Sequence, residues 1–214
     1  DKVEFEIVHS CYYFNLSDKL NDLKEHGFDT KEIALIKKSL LALTNQIINP
    51  QFGHYAKDVA KIDLLKNKYN LIVTSDLSLV DKIYWLIEDC KRYGTLPFAG
   101  IARSAFIATQ FLRSLIDVGI ISTEDYQAFT NSLNTITKKL AVVLMKLKQK
   151  RIQKNYFYEK YGHLRPGTYD IMSLRYDENF NNYFSSMPDN SKKIVFCFSK
   201  KQMRDIGKLI KKNG

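Results

Sequence analysis

Tyr161-Gly-His-Leu-Arg-Pro-Gly-Thr-Tyr-Asp-Ile171, with the Arg175-Tyr-Asp177 that follows it, gathers one histidine, two arginines, two aspartates, three tyrosines and two glycines within residues 161–177. Such a mixture suits a polar loop with rigid turns. In it guanidinium forks can bind a carboxylate or phosphate in bidentate fashion while carboxylates orient them. Arg165 and Arg175 are the cations of this stretch, and Asp170 and Asp177 are its acceptors. The same residues admit a structural reading, in which Arg165 and Asp170 pair to tie the loop down and the tyrosine rings pack. Arg103 is the other candidate. It closes the mostly apolar run Gly94-Thr-Leu-Pro-Phe-Ala-Gly-Ile-Ala-Arg103. A buried cation there requires a partner, either an anionic substrate or an internal carboxylate such as Asp170.

Several other chemistries lack their signatures. The chain has no Gly-rich phosphate loop followed by Lys, no G-x-G-x-x-G and no G-x-S-x-G elbow. A chain without them holds no ATP site of those types. His9, His26, His54 and His163 are scattered, as are Cys11, Cys90 and Cys197, with no C-x-x-C and no paired spacing. No metal site is expected from that distribution. The dispersed cysteines suit a reduced, cytoplasmic setting.

These residues need a scaffold, and helical periodicity supplies one from about 17 to 161. Ser17 is placed to cap a short helix that Gly27 stops. Asp29 with Glu32 has the capping-box spacing, and Ile33, Ile36, Leu40, Leu43 and Ile47 recur on one face of the helix it opens. Further helices are predicted over His54 to Tyr69 and over Ser78 to Tyr93. In the latter, Ile83, Trp85, Leu86, Ile87 and Cys90 form the buried side and Gly94 is the stop. Pro97 opens the next, which runs to Val118 and ends at Gly119. Ser122 with Asp125 caps a long helix whose basic end flows on to Tyr161. Beyond it, 162–188 has no sustained period, Lys192 to Phe198 reads as a short strand, and Ser199 with Gln202 opens a final basic helix. The expected architecture is therefore mainly α. A bundle-like domain of six to seven helices (1–161) precedes a polar functional loop (162–191) and a strand plus helix (192–214) that leads toward a further domain.

Composition adds two constraints. With 45% hydrophobic residues the 214-residue chain can bury a real core, and no apolar run approaches the roughly 20 residues of a membrane-spanning helix. The first residues do not form a signal peptide, and the absence of an initial Met suggests an excised or processed chain. The net charge of +10 is localised: residues 1–137 hold 15 basic and 17 acidic groups, 138–160 hold 8 and 1, 161–198 hold 4 and 4, and 199–214 hold 6 and 1.

The strings Arg92-Tyr-Gly-Thr-Leu-Pro-Phe-Ala-Gly-Ile-Ala-Arg103, Gly119-Ile-Ile-Ser122, Tyr161 to Asp170 and Arg175-Tyr-Asp177 together resemble the middle region of the phosphoenolpyruvate-utilising phosphotransferases. These are relatives of phosphoenolpyruvate synthase and pyruvate phosphate dikinase, including rifampicin phosphotransferase. The likeness is closest to the synthase-like proteins of capsular polysaccharide clusters, such as L-glutamine kinases. It implies ATP-dependent phosphorylation of a small acceptor, the glutamine amide being one candidate, through a phosphohistidine on a swivelling domain, with AMP and phosphate as co-products. An ATP-grasp domain would bind ATP and Mg2+, and the phosphohistidine domain would carry a Thr-Ser-His-like string. This chain has neither, so the resemblance implies a central domain that binds no cofactor itself. It contributes substrate-binding residues Arg103, His163, Arg165, Tyr169, Asp170, Arg175 and Tyr176, with no catalytic residue of its own. Relatives often place Pro before the Arg of the last string, where this chain has Leu174.

Two other classes of function fit the sequence. One is a non-catalytic helical interaction module. The other, with less support, is a nucleic-acid binder that uses the two basic segments for phosphate contacts and Tyr156, Phe157 and Tyr158 for stacking.

Overall fold

A computed structural model describes residues 9–167, 170, 172–185 and 195–213; the chain is mainly α-helical, and no strand occurs among the described residues. Helix α1 (Leu16–Leu20) tightens into a 3-10 turn (Asn21–His26) that stops at Gly27, where φ is 89°. The expected Ser17 cap is not used. The helix begins one residue earlier, and the Ser17 hydroxyl accepts from Lys37 Nζ at 2.7 Å.

The capping box does form at α2 (Thr30–Ile48): Asp29 Oδ1 accepts from the N–H groups of Lys31 and Glu32, and Glu32 Oε2 accepts from the Asp29 N–H. Its inner face differs from the predicted stripe at one position, since Leu43 is exposed and Thr44 takes the buried place. The reason is a backbone requirement. The segment around Tyr12 is not helical, and its N–H needs the Thr44 Oγ1 that it reaches at 2.8 Å.

Helix α3 (His54–Thr74) and helix α4 (Leu79–Asp89) follow, and α4 passes through a π-helical turn (Cys90–Thr95) directly into α5 (Leu96–Asp117). Gly94 is therefore no stop. Its residue is absorbed in the wide turn, which keeps the chain helical up to Pro97 at the start of α5. Gly119, at φ 73°, ends α5 as its position predicts. The expected buried side of α4 is also revised. Ile83, Trp85, Ile87 and Cys90 are exposed and Leu86 is half-buried, because α4 meets α3 and the π turn on one side only. Asp89 alone on that helix is buried, 3.6 Å from Lys68 Nζ.

Ser122 and Asp125 cap α6 (Thr123–Ser132) reciprocally. The single long helix expected from there to Tyr161 is three: α6, α7 (Ile136–Lys148) and α8 (Lys154–Tyr161). Polar side chains break it. Ser132 Oγ bonds back to the Phe129 carbonyl at 2.7 Å, and Thr135 Oγ1 takes the Lys138 N–H to start α7 afresh. Lys150, at φ 56°, then terminates α7 as Arg151 N–H bonds to the Lys146 carbonyl and Lys150 N–H to that of Leu147. The last helices are α9 (Phe180–Phe184) and α10 (Lys200–Asn213), the latter opened by the predicted Ser199–Gln202 box. Of the expected strand, 192–194 lie outside the described residues and 195–198 pair with no strand. Phe196 and Phe198 instead pack on Phe129 of α6, at ring distances of 6.2 and 5.5 Å.

The described residues up to Tyr126 together with 199–213 make one compact unit, and 127–198 make a second. This grouping differs from a division at residue 161, because Leu140, Val143 and Leu144 of α7 share a core with Phe157, Tyr161 and Phe184. The first unit is built around the N-terminal segment: Cys11, Tyr12, Tyr13, Leu16 and Leu20 pack with Ile47 and Ile107. Burial there pushes the Cys11 thiol up to about 11. Tyr12 also donates its hydroxyl to Asn213 Oδ1 at 2.8 Å, which fastens α10 to this core.

Candidate functional site

The segment after α8 folds back on itself. Tyr176 N–H donates to the Leu164 carbonyl at 2.8 Å and Asp177 N–H to the Gly162 carbonyl at 3.2 Å, so residues 164–176 leave and return at one point. Gly162 is buried at that closure. A Cβ there would press on the Tyr158 carbonyl and lie 3.0 Å from the Asp177 Cβ, tighter than packing allows. The glycine is what lets the returning segment of the loop seat on the end of α8.

Arg175 is committed inside the loop. Its Nε donates to Asp177 Oδ1 at 3.0 Å and its Nη2 to Asp177 Oδ2 at 2.6 Å, while its backbone N–H donates to Glu178 Oε2 at 2.7 Å. The hydrogen bonds from Arg175 hold the Asp177 carboxyl below its usual range, and Asp177 holds the guanidinium above its own. The ion pair that braces this loop joins Arg175 and Asp177 and is not the Arg165–Asp170 pair weighed from the sequence. Asp170 does another local job: it accepts the Met172 N–H at 2.9 Å and lies 3.4 Å from the Ser173 hydroxyl, an Asx-type turn that shapes the tip.

Of the remaining expected residues, Tyr176 is half-buried and packs edge-on to Phe184 at 4.8 Å and Tyr183 at 5.7 Å. His163 is exposed beside the closure, Arg165 is half-buried, and Tyr169 lies outside the described residues. His163, Arg165, Asp170, Arg175 and Tyr176 all belong to the second unit. Arg103 belongs to α5 of the first unit and is exposed, so the premise of a buried cation in need of a partner does not hold for it. Asp177 and Glu178 were missed as structural partners, although the Arg-x-Asp-Glu spacing of 175–178 carries that signal.

Cavities among the described residues lie elsewhere. In the first unit a cavity of about 320 Å³ is lined by Lys68, Leu71, Ile72, Ser75, Leu77, Trp85 and Asp89. In the second, one of about 270 Å³ is lined by Leu144, Leu147, Lys148, Lys154, Phe180 and Phe184. Neither is lined by a residue singled out as substrate-binding. Among the described residues no group of three or more His, Cys, Asp or Glu side chains is placed to hold a metal ion, and no helix is long and apolar enough to cross a membrane. The aromatic run considered for base stacking is largely consumed by packing: Phe157 is fully buried, and the Tyr158 ring lies against Phe157 and Phe180 with Lys154 Nζ 5.3 Å from its centroid. No family model, curated protein or solved structure matches the chain.

Proposed function

We propose that this chain is the central domain of a cytoplasmic ATP-dependent phosphotransferase of the phosphoenolpyruvate synthase type. In this reading it holds a small acceptor, such as the glutamine amide, while ATP-grasp and phosphohistidine domains bind ATP and Mg2+ and carry the phosphoryl group. The observation that supports it is the loop. The string Tyr161 to Asp177, on which the family resemblance rests, is closed by its own backbone bonds and braced by the Arg175–Asp177 fork. Such bracing holds the backbone that carries His163 and Arg165 in place. Phosphoryl transfer depends on cations held in place before charge develops on the phosphoryl oxygens. Arg165 is assigned to that task or to the acceptor's own polar group, while Arg175 acts as the brace. The test is Arg165→Ala in an enzyme that contains all three domains, with AMP release followed in the presence of L-glutamine. A loss of about 100-fold in turnover is expected; unchanged turnover removes the assignment.

A second reading, an interaction module without a substrate of its own, is favoured by one observation in the first unit. Leu79 and Val80, adjacent at the start of α4, are 76% and 75% exposed. Apolar side chains so open to water suit a surface that another protein covers.

A further inference from the structure

We propose that the cavity between α7, α8 and α9 is a binding site for a small amphiphilic anion, a molecule with an apolar body and one carboxylate-like head. Its walls divide by chemistry. Leu144 and Leu147 of α7 and Phe180 and Phe184 of α9 supply hydrocarbon, and the charged residues among its described lining are Lys148 and Lys154. Lys154 is held by more than chance exposure: its ammonium stands 4.5 Å from the centroid of the Phe180 ring and 5.3 Å from that of Tyr158. A cation resting on two ring faces is held near one position among the residues that line the cavity.

The surroundings reinforce the sign. Residues 138–160 hold 8 basic and 1 acidic group, and both lining lysines come from that segment. Helix α8 begins at Lys154 itself, with no acidic residue in its first turn and no side-chain cap from Gln153. The partial positive charge of that helix start therefore adds to the ammonium. A volume of about 270 Å³ corresponds to roughly nine liquid water volumes at about 30 Å³ each, which fits a body of about nine non-hydrogen atoms. Charge complementarity selects against amines, and the apolar floor selects against small, fully hydrated anions such as inorganic phosphate.

The experiment titrates the whole 214-residue chain with octanoate, octylamine, 1-octanol and inorganic phosphate. It follows the methyl resonances of Leu144 and Leu147 and the binding heat. Octanoate is expected to bind in the submillimolar range and to shift both leucines, with octylamine and octanol at least tenfold weaker and phosphate causing no leucine shift. Lys154→Glu should weaken octanoate at least tenfold. Lys154→Gln, a milder change for use if the first disturbs folding, should weaken it by a smaller factor, and Leu147→Trp should fill the cavity and remove binding. The proposal is overturned by octylamine or octanol binding as well as octanoate, by octanoate binding equally to both Lys154 variants, or by no leucine shift up to the solubility limit of octanoate.

Discussion

Residues 127–198 seal Phe157 completely among Tyr158, Tyr161, Phe180 and Phe184, rings drawn from the short span 157–184, whereas residues up to Tyr126 leave most of one helix, α4, in water. Both regions are rich in large apolar side chains, so composition does not separate them. The difference lies in geometry. In the second unit three short helices and a returning loop surround a common point, so each ring finds another at 5 to 6 Å. In the first, the π turn joins α4 and α5 end to end, and α4 packs chiefly against α3 and that turn. Apolar periodicity therefore identifies a face that can be buried, and the connection between helices decides whether it is.

The largest expected effect comes from the sealed ring. Phe157→Ala should cost about 3–5 kcal/mol and lower the unfolding midpoint of the second unit in near-ultraviolet circular dichroism. Trp85, the one tryptophan, lies in the first unit and should report an unchanged transition by fluorescence. A shift in the Trp85 transition as large as that of the tyrosines would break the comparison, since the two units would then unfold as one.

Thr44→Val is the converse. It leaves the buried Tyr12 N–H without its acceptor, a loss of about 1–3 kcal/mol that should appear in Trp85 fluorescence and spare the second unit.

Acid offers a smaller, one-sided perturbation. The Asp177 carboxyl titrates below its unfolded value because Arg175 donates to it. Its stabilisation is therefore complete above about pH 4 and disappears as pH falls from there through the lower folded value. The second unit should lose stability over that range more steeply than Asp177→Asn does, as measured by urea midpoints at successive pH values; equal slopes remove the Arg175 brace.

The smallest change is expected where exposure is greatest. Replacing Leu79 and Val80 together by Lys should move the first unit's stability by no more than about 0.5 kcal/mol. A clear destabilisation would show that this face is covered within the folded chain.

The parts of the fold that were legible in the sequence are those set by neighbours in the chain. The Asp29–Glu32, Ser122–Asp125 and Ser199–Gln202 pairs each satisfy backbone donors three residues away, so spacing alone announces them. The buried position of Thr44 was not legible, because it answers to Tyr12, far away in sequence. Nor was the break of the long helix, where apolar periodicity continues across Leu133 and Ile136 while Ser132 and Thr135 redirect the backbone. In the candidate site the loop and its content were plain from composition. The bracing role of Arg175 depended on the return of the chain over Gly162, a contact made only once α8 and the loop are folded.

The burial of Cys11 makes the chain its own clock. With its thiol pushed up to about 11, only about one in a thousand Cys11 side chains is thiolate at pH 8, while Cys90 and Cys197 are exposed. An alkylating reagent should therefore modify two sites promptly and the third only when the segment Cys11 to Leu20 leaves its place. The mass of the protein over time then counts the openings of the first core, one alkyl group per event.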